Sequence, residues 1–262
     1  MKNVRSIFQQ KLTPEIFQKL EIVIAVNRAT EKKKAELKPL LDFPKVKLIF
    51  NEQNLGYPRG VNEAVKNSSG EILVIVNPDI VFHDENSLQK LVEKIQKNEQ
   101  IGILAPRQIN DGSEETAQTV RAFPKLLLQI ARRTWLRKIA GIREKVEFDE
   151  MSHLDLSREQ RVDWIQSSFW VLRRKLWEDL GGLDERFFLF MSDPDFCWRV
   201  WERGLEVVYF PEVVVRADGL RCSAGGFLTF FRSWVLRQHL RDALKYHRKY
   251  RGRRNPRANF KF

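Results

Sequence analysis

The sequence is short of cysteine, of histidine and of long apolar runs, and each shortage removes a class of protein. Its two cysteines, Cys197 and Cys222, cannot form a disulfide framework or a structural zinc site, so both are expected as reduced thiols. No apolar run approaches the ~20 residues of a membrane helix. The opening Met1-Lys2-Asn3-Val4-Arg5-Ser6 is broken by polar residues too often to make a signal-peptide core. These absences point to a cytoplasmic chain that is at most peripheral on the inner face of the cell membrane. Acid is also in deficit, 34 residues against 46 lysines and arginines, for a formal charge of +12. Such a field attracts anions: nucleotide-sugars, acidic lipid headgroups or nucleic acid. No helix-turn-helix, zinc-finger or aromatic-platform signature accompanies it, so nucleic acid is not expected as a partner.

What is present is the makings of a packed core. With 43% hydrophobic and 11% aromatic residues, 262 residues suit one α/β domain without disorder or repeats. Strands are expected at Glu21 to Val26, Val46 to Phe50, Glu71 to Val76 and Ile101 to Pro106. Helices are expected at Thr30 to Leu41 and Ser87 to Lys97. Short strands alternating with helices indicate parallel βαβ units, and the β-branched run Glu71 to Val76 fits a central parallel strand. Asn77-Pro78-Asp79 ends that strand and leaves Asp79 at its C-terminal end, the edge where open parallel sheets bind ligands. Residues 110–156 carry a basic amphipathic stretch, Lys125 to Ile142, and a mostly acidic patch; they read as a variable insertion.

The chemistry concentrates in two stretches. Asn54-Leu55-Gly56-Tyr57-Pro58-Arg59-Gly60-Val61-Asn62 is a glycine-punctuated loop running into a helix, whose first backbone N–H groups favour an anion. Ser192-Asp193-Pro194-Asp195 opens another helix after an aromatic-rich loop, Gly181 to Phe190. Acidic residues there cap a helix start, and a rigidly presented Asp is also what general-base chemistry needs. Past Pro211 come a strand, Glu212 to Arg216, and a helix of about twenty residues from Phe227. From Lys245 onward there are eight lysines and arginines and no acid.

Gly181, Gly182, Asp184, Glu185, Phe187, Phe188, Asp193, Asp195, Cys197, Arg199, Gly204, Val207, Tyr209 and Pro211 fall in the spacing of a G-G-F-D-E-x-F-F-x-Y-x-E-D-x-D-L-C-x-R segment and its following strand. This resembles the second half of a family-2 glycosyltransferase of the rhamnosyltransferase-like kind. The resemblance implies a GT-A-like α/β fold: a mostly parallel, Rossmann-like central sheet flanked by helices. Residues 1–226 would form the glycosyltransferase domain and 227–262 a basic amphipathic C-terminal helix and tail.

It further implies inverting transfer of a sugar, rhamnose among the candidates, from a nucleotide-diphospho-sugar donor to a lipid-linked or polysaccharide acceptor. Asp193 matches the catalytic base; Asn54, Gly56, Arg59, Asn62, Asn77 and Asp79 match the donor side; Trp164 and Asp195 fall on the acceptor side. A divalent cation, Mg or Mn, would rest on Asp79. The family's histidine ligand has no counterpart after Pro211, so either Asp218 serves or Arg216 neutralises the diphosphate directly, and metal dependence should be weak. An anionic membrane surface is a further partner for the basic tail.

Four departures stand out. Ser192 replaces the Glu of the E-D pair, Ser167 replaces a strand glycine, Val26 stands where an Asp contacts the nucleotide, and the match begins one strand late. They support a second reading, a truncated or non-catalytic relative, which nucleotide-sugar binding separates from the first.

Overall fold

The computed structural model describes residues 2–113, 115–132, 134–219 and 233–260. Helices α1 (Lys2–Phe8) and α2 (Pro14–Lys19) precede strand β1 (Ile22–Asn27), helix α3 (Glu31–Leu37) and β2 (Val46–Asn51). Then come α4 (Tyr57–Lys66), β3 (Ile72–Val76), β4 (Val81–Phe82), α5 (Ser87–Lys97) and β5 (Ile101–Asn110). The insertion folds as β6 (Val120–Arg121), α6 (Leu126–Arg132), a 3-10 turn (Trp135–Lys138) and α7 (Ala140–Asp149). The second half runs β7 (Gln160–Arg161), β8 (Trp164–Ile165), β9 (Phe169–Arg173), α8 (Arg174–Asp179), α9 (Ser192–Glu202), β10 (Glu206–Ala217) and α10 (Trp234–Lys249).

The main sheet has six strands in the order β3-β9-β5-β10-β4, with β7 also on β10. It is mixed rather than mostly parallel. Only β5 and β10 run parallel within it; β3 with β9, β9 with β5, and β10 with β4 are antiparallel. The apolar run of β3 therefore marks an antiparallel strand beside β9, not the centre of a parallel sheet. Continuous apolarity reports burial on two faces and carries no information on strand direction.

β1 and β2 form a separate parallel pair. Among the described residues no strand pairs with the second edge of β1 or of β3. Side-chain hooks bridge the break instead: the Glu21 carboxylate accepts from the backbone N–H of Ser69 and Gly70 just before β3, and the Phe8 ring stacks on Phe43.

Apolar residues from both faces of the main sheet build the core. One cluster joins Ile75, Ile103, Trp170, Phe196, Trp201 and Tyr209 with Ala243, Tyr246 and Tyr250. The second packs α1 and α5 on the other face through Ile7, Leu91 and Ile95. Since Ala243, Tyr246 and Tyr250 belong to the first cluster, α10 and its sequel are part of the body, not an appended tail. The helix begins at Trp234; Phe227, Phe230, Phe231, Arg232 and Cys222 lie outside the described residues.

Candidate functional site

Asp193 sits in the first turn of α9, one residue after a helix start that Met191 enters in the left-handed conformation, φ 68°. Positive φ is costly for a methionine, so the turn is held by its surroundings. Those surroundings are two serines and a loop. Ser167 Oγ donates to Asp193 Oδ1 at 2.6 Å and Ser192 Oγ to the same oxygen at 3.3 Å. Two departures from the family pattern thus converge on the candidate base. Burial pushes the Asp193 carboxyl above its usual range, and the Ser167 and Ser192 hydrogen bonds oppose that rise.

The loop from Asn54 to Asn62 is locked to the same place. Asn54 Oδ1 accepts the Gly56 N–H at 3.1 Å, the Tyr57 N–H reaches the Phe188 carbonyl at 2.7 Å, and the Tyr57 hydroxyl reaches the Ser167 carbonyl at 3.0 Å. Gly56 has φ 83°, and a Cβ there would run into the Phe188 carbonyl, so only glycine fits. Burial and the charge of Asp193 together raise the Tyr57 phenol above its normal range. Tyr57 is therefore a neutral hydroxyl bridging the two halves of the site.

Holding the loop 187–190 falls to Asp242 of α10. Its buried Oδ2 accepts the backbone N–H groups of Phe188, Leu189 and Phe190 at 3.2, 3.0 and 3.1 Å, while Oδ1 accepts from Gln238 at 2.9 Å. Nothing in the local sequence marks this contact, which joins residues more than fifty apart.

Other expected residues are placed differently. Asp195 is fully buried, accepting from Arg199 Nε at 3.0 Å, Tyr250 at 2.8 Å and Lys249. It anchors α10 to α9 and presents nothing to an acceptor. Its neighbour in that network, Asp184, has burial working against its ionisation, but hydrogen bonds from Arg186 and Lys249 prevail and hold its carboxyl below the usual range. Arg59 pairs with Glu185 at 3.3 Å, and Asn62 clasps Leu183 through both its N–H and its carbonyl at 2.9 Å. Both tie α4 to the glycine turn. Trp164 donates its indole N–H to the Ala122 carbonyl at 2.8 Å and packs against the core.

Asn77 and Asp79 lie where expected, in the turn after β3. Asn77 N–H bonds the Ser168 carbonyl at 2.9 Å, and the Asn3 side chain reaches the Asn77 carbonyl at 3.4 Å. In the antiparallel β10–β4 ladder Arg216 opposes Val81. Asp218 lies two residues past Arg216, near enough for its charge to act on Asp79. Burial raises the Asp79 carboxyl, and the negative charge of Asp218 adds to the rise. Among the described residues no cluster of three metal-ligating side chains is present. The two carboxylates fit a divalent cation only if phosphate oxygens and water supply most of its ligands.

Two asparagines that the sequence reading did not single out close the donor side. Asn27 follows Val26 at the end of β1 and donates to the Gly56 carbonyl at 3.0 Å; Asn51, at the end of β2, donates to Asn27 at 3.2 Å and to Glu63 at 2.6 Å. Their position at the C-terminal ends of a parallel pair was the available signal.

Comparison with known proteins follows the same lines. The solved structures most usefully compared are glycosyltransferases of the GT-A fold. A mannosyltransferase of Pyrobaculum calidifontis, in complex with GDP-Man and Mn2+, matches with TM-score 0.57 and 16% identity over 93% of this chain and 59% of its own. GalNAc-T7 with UDP, GalNAc and Mn2+ matches with TM-score 0.59 and 16% identity over 88% of this chain and 44% of its own. At that identity they show the fold alone. An N-acetylglucosaminyl-diphospho-decaprenol L-rhamnosyltransferase of Mycobacterium tuberculosis is 27% identical over 188 residues, 66% of this chain and 59% of the relative. The O-antigen biosynthesis protein RfbC of Myxococcus xanthus is 27% identical over 208 residues, 78% of this chain and 15% of the relative. The chain thus spans about three fifths, or less, of the curated relatives it matches. Residues 2–180 match the profile of Glycosyl transferase family 2, and the chain belongs to that family.

Proposed function

We propose that this chain transfers a sugar from a nucleotide-diphospho-sugar to a hydroxyl of a lipid-linked or polysaccharide acceptor, with inversion and with Asp193 as general base. The observation that carries this reading is the lock between donor loop and base: Tyr57 reaches Phe188 and Ser167, and Ser167 holds Asp193. Transfer needs a donor and a deprotonating group at fixed separation, and a carboxyl raised by burial is a stronger base than an exposed one. Rhamnose and a lipid-diphosphate acceptor are the favoured pair, supported by the activity named for the mycobacterial relative.

Asp79 and Asp218 would hold a divalent cation, which when bound neutralises charge on the donor diphosphate. Because phosphate oxygens and water would supply most of its ligands, the cation would belong to the donor complex more than to the free protein.

The test is a panel of nucleotide-diphospho-sugars incubated with a lipid-diphosphate-linked sugar, with product read by mass spectrometry. A single sugar added from one or two donors supports the reading. Donor binding without transfer to any acceptor supports the non-catalytic relative, which the buried Val26 in place of a carboxylate also favours.

A further inference from the structure

Basic residues of the C-terminal segment do not form a free tail. Lys249 turns inward to Asp184 and Asp195, Arg253 pairs with Glu202 at 3.2 Å, and Arg257 pairs with Asp163 at 2.9 Å. Arg251 and Arg254 are exposed there, but a surface that joins cations to large exposed apolar side chains is the better membrane candidate.

That surface is the outer arc of α10 together with α6 and the turn after it. Trp234, Leu240 and Leu244 on α10 are 46%, 42% and 53% exposed. Arg241 and Arg248 share their exposed arc at helical spacing, and the helix's one acid, Asp242, is buried and meets Lys245 at 3.5 Å at the edge of that arc. His247 lies on the flank of the leucines and meets Gln129 of α6 at 3.1 Å, which brings α6 to that flank of α10. There Leu127 is 79% and Trp135 71% exposed, with Lys125 and Lys138 exposed around them and Arg137 paired to Glu150 at 2.9 Å. Isolated exposed leucines are ordinary, but large apolar side chains on adjoining elements, edged by cations and free of exposed acid on α10, are the pattern of an interfacial helix.

The structure assigns this face as a docking surface for an anionic lipid bilayer. Leucines and tryptophans would enter the headgroup boundary while the arginines and lysines meet lipid phosphates. Position joins it to the site: Gln129 also contacts Met191 Sδ at 3.9 Å, and Asp242 on the inner side of α10 holds the loop leading to Asp193. A bilayer against this face lies beside the turn that presents the base, which is where a lipid-linked hydroxyl would arrive. That link to the acceptor rests on the proposed transfer; the docking itself does not.

The experiment is co-sedimentation of the full chain with vesicles of phosphatidylcholine alone and mixed with phosphatidylglycerol, at physiological salt. Wild type should bind the mixed vesicles and leave the neutral ones. Replacing Leu127→Ser with Trp135→Ser, or Arg241→Glu with Arg248→Glu, should weaken binding at least ~10-fold, since area and charge both contribute. The charge-matched control Arg251→Glu with Arg254→Glu, on the exposed tail, should change it less than ~2-fold. Equal loss in the two charge pairs would reduce the effect to net charge and overturn the assignment. So would absence of wild-type binding, which would leave the face to a protein partner. Matching far-UV spectra and melting curves confirm that each variant is folded. The vesicles carry no sugar acceptor, so failure here leaves the transfer reading untouched, and failure of transfer leaves vesicle binding unchanged.

Discussion

The two sides of the candidate site are built to different standards. On the acceptor side, β9 and the first six residues of β5 are buried almost without interruption, and α9 is sealed by α10 through Asp195, Lys249 and Tyr250. On the donor side, Val26 is the only buried residue of β1 and β2. That pair is held by polar hooks: Glu21 on Ser69 and Gly70, Asn27 on Gly56, Asn51 on Glu63. Burial of apolar area supplies stability that local opening must forfeit, whereas a few half-buried polar hooks supply less. On the proposed reading, the α9 side is preorganised for chemistry and the β1–β2 side is free to adjust until a donor fills it.

The sharpest way to test that contrast is native-state hydrogen exchange. Amides of β9 and β5 should exchange at least ~10³-fold more slowly than those of β1, as expected where one region opens only globally and another locally. Equal protection would mean that the polar hooks are as strong as the core. Adding a nucleotide-diphospho-sugar should slow β1 and β2 and leave β9 unchanged.

Asp242→Asn strikes the acceptor side from α10. The neutral amide accepts the three loop N–H groups less strongly than the carboxylate and loses the Lys245 contact, while Gln238 turns its own amide oxygen to the new N–H, for a net cost of about 1–3 kcal/mol. Turnover should fall with it, because Met191 and Asp193 follow the loop. Denaturant titration reads the stability, and an unchanged midpoint would show that the loop does not depend on the charge of Asp242.

Gly56→Ala breaks the contact between the two sides. Its positive φ and the Phe188 carbonyl both oppose a Cβ, for a cost of about 1–3 kcal/mol. Calorimetry should show weakened donor binding. An alanine variant that binds donor as wild type does would show that Phe188 yields.

The smallest effect is a shift in pH dependence. A base must be deprotonated, so turnover should climb with pH through the raised Asp193 value and level off above it. Ser167→Ala removes a hydroxyl that favours the charged carboxylate. The rising limb should move to higher pH by about one unit, the worth of one charge-assisted hydrogen bond. A shift in the opposite direction would contradict the role of Ser167.

How far the sequence foretold these regions follows the same divide. Elements with strong local signals came through: Ser87–Lys97 is the helix its periodicity indicates, and Ile22–Asn27 and Ile72–Val76 lie within a residue of the expected strands. The spaced motif around Asp193 gave the family, and Asn77-Pro78-Asp79 gave the sheet edge. Contacts that cross the chain did not come through. Asp242 on the 187–190 loop and Ser167 on Asp193 join residues far apart, and no local pattern encodes them. Asp195 misled because an acid in a helix's first turn has the same sequence signature whether it faces solvent or, as here, a lysine, an arginine and a tyrosine in the core.

The central claim is that Asp193 deprotonates the acceptor at a site where donor and base are held together. Asp193→Asn tests it directly, because the amide keeps an oxygen for Ser167 and the shape of the turn but cannot take a proton. Donor affinity by calorimetry should stay within ~2-fold of wild type, while transfer falls by ~10²–10⁴-fold, the usual worth of a general base. Near wild-type transfer by the Asn variant would contradict the account.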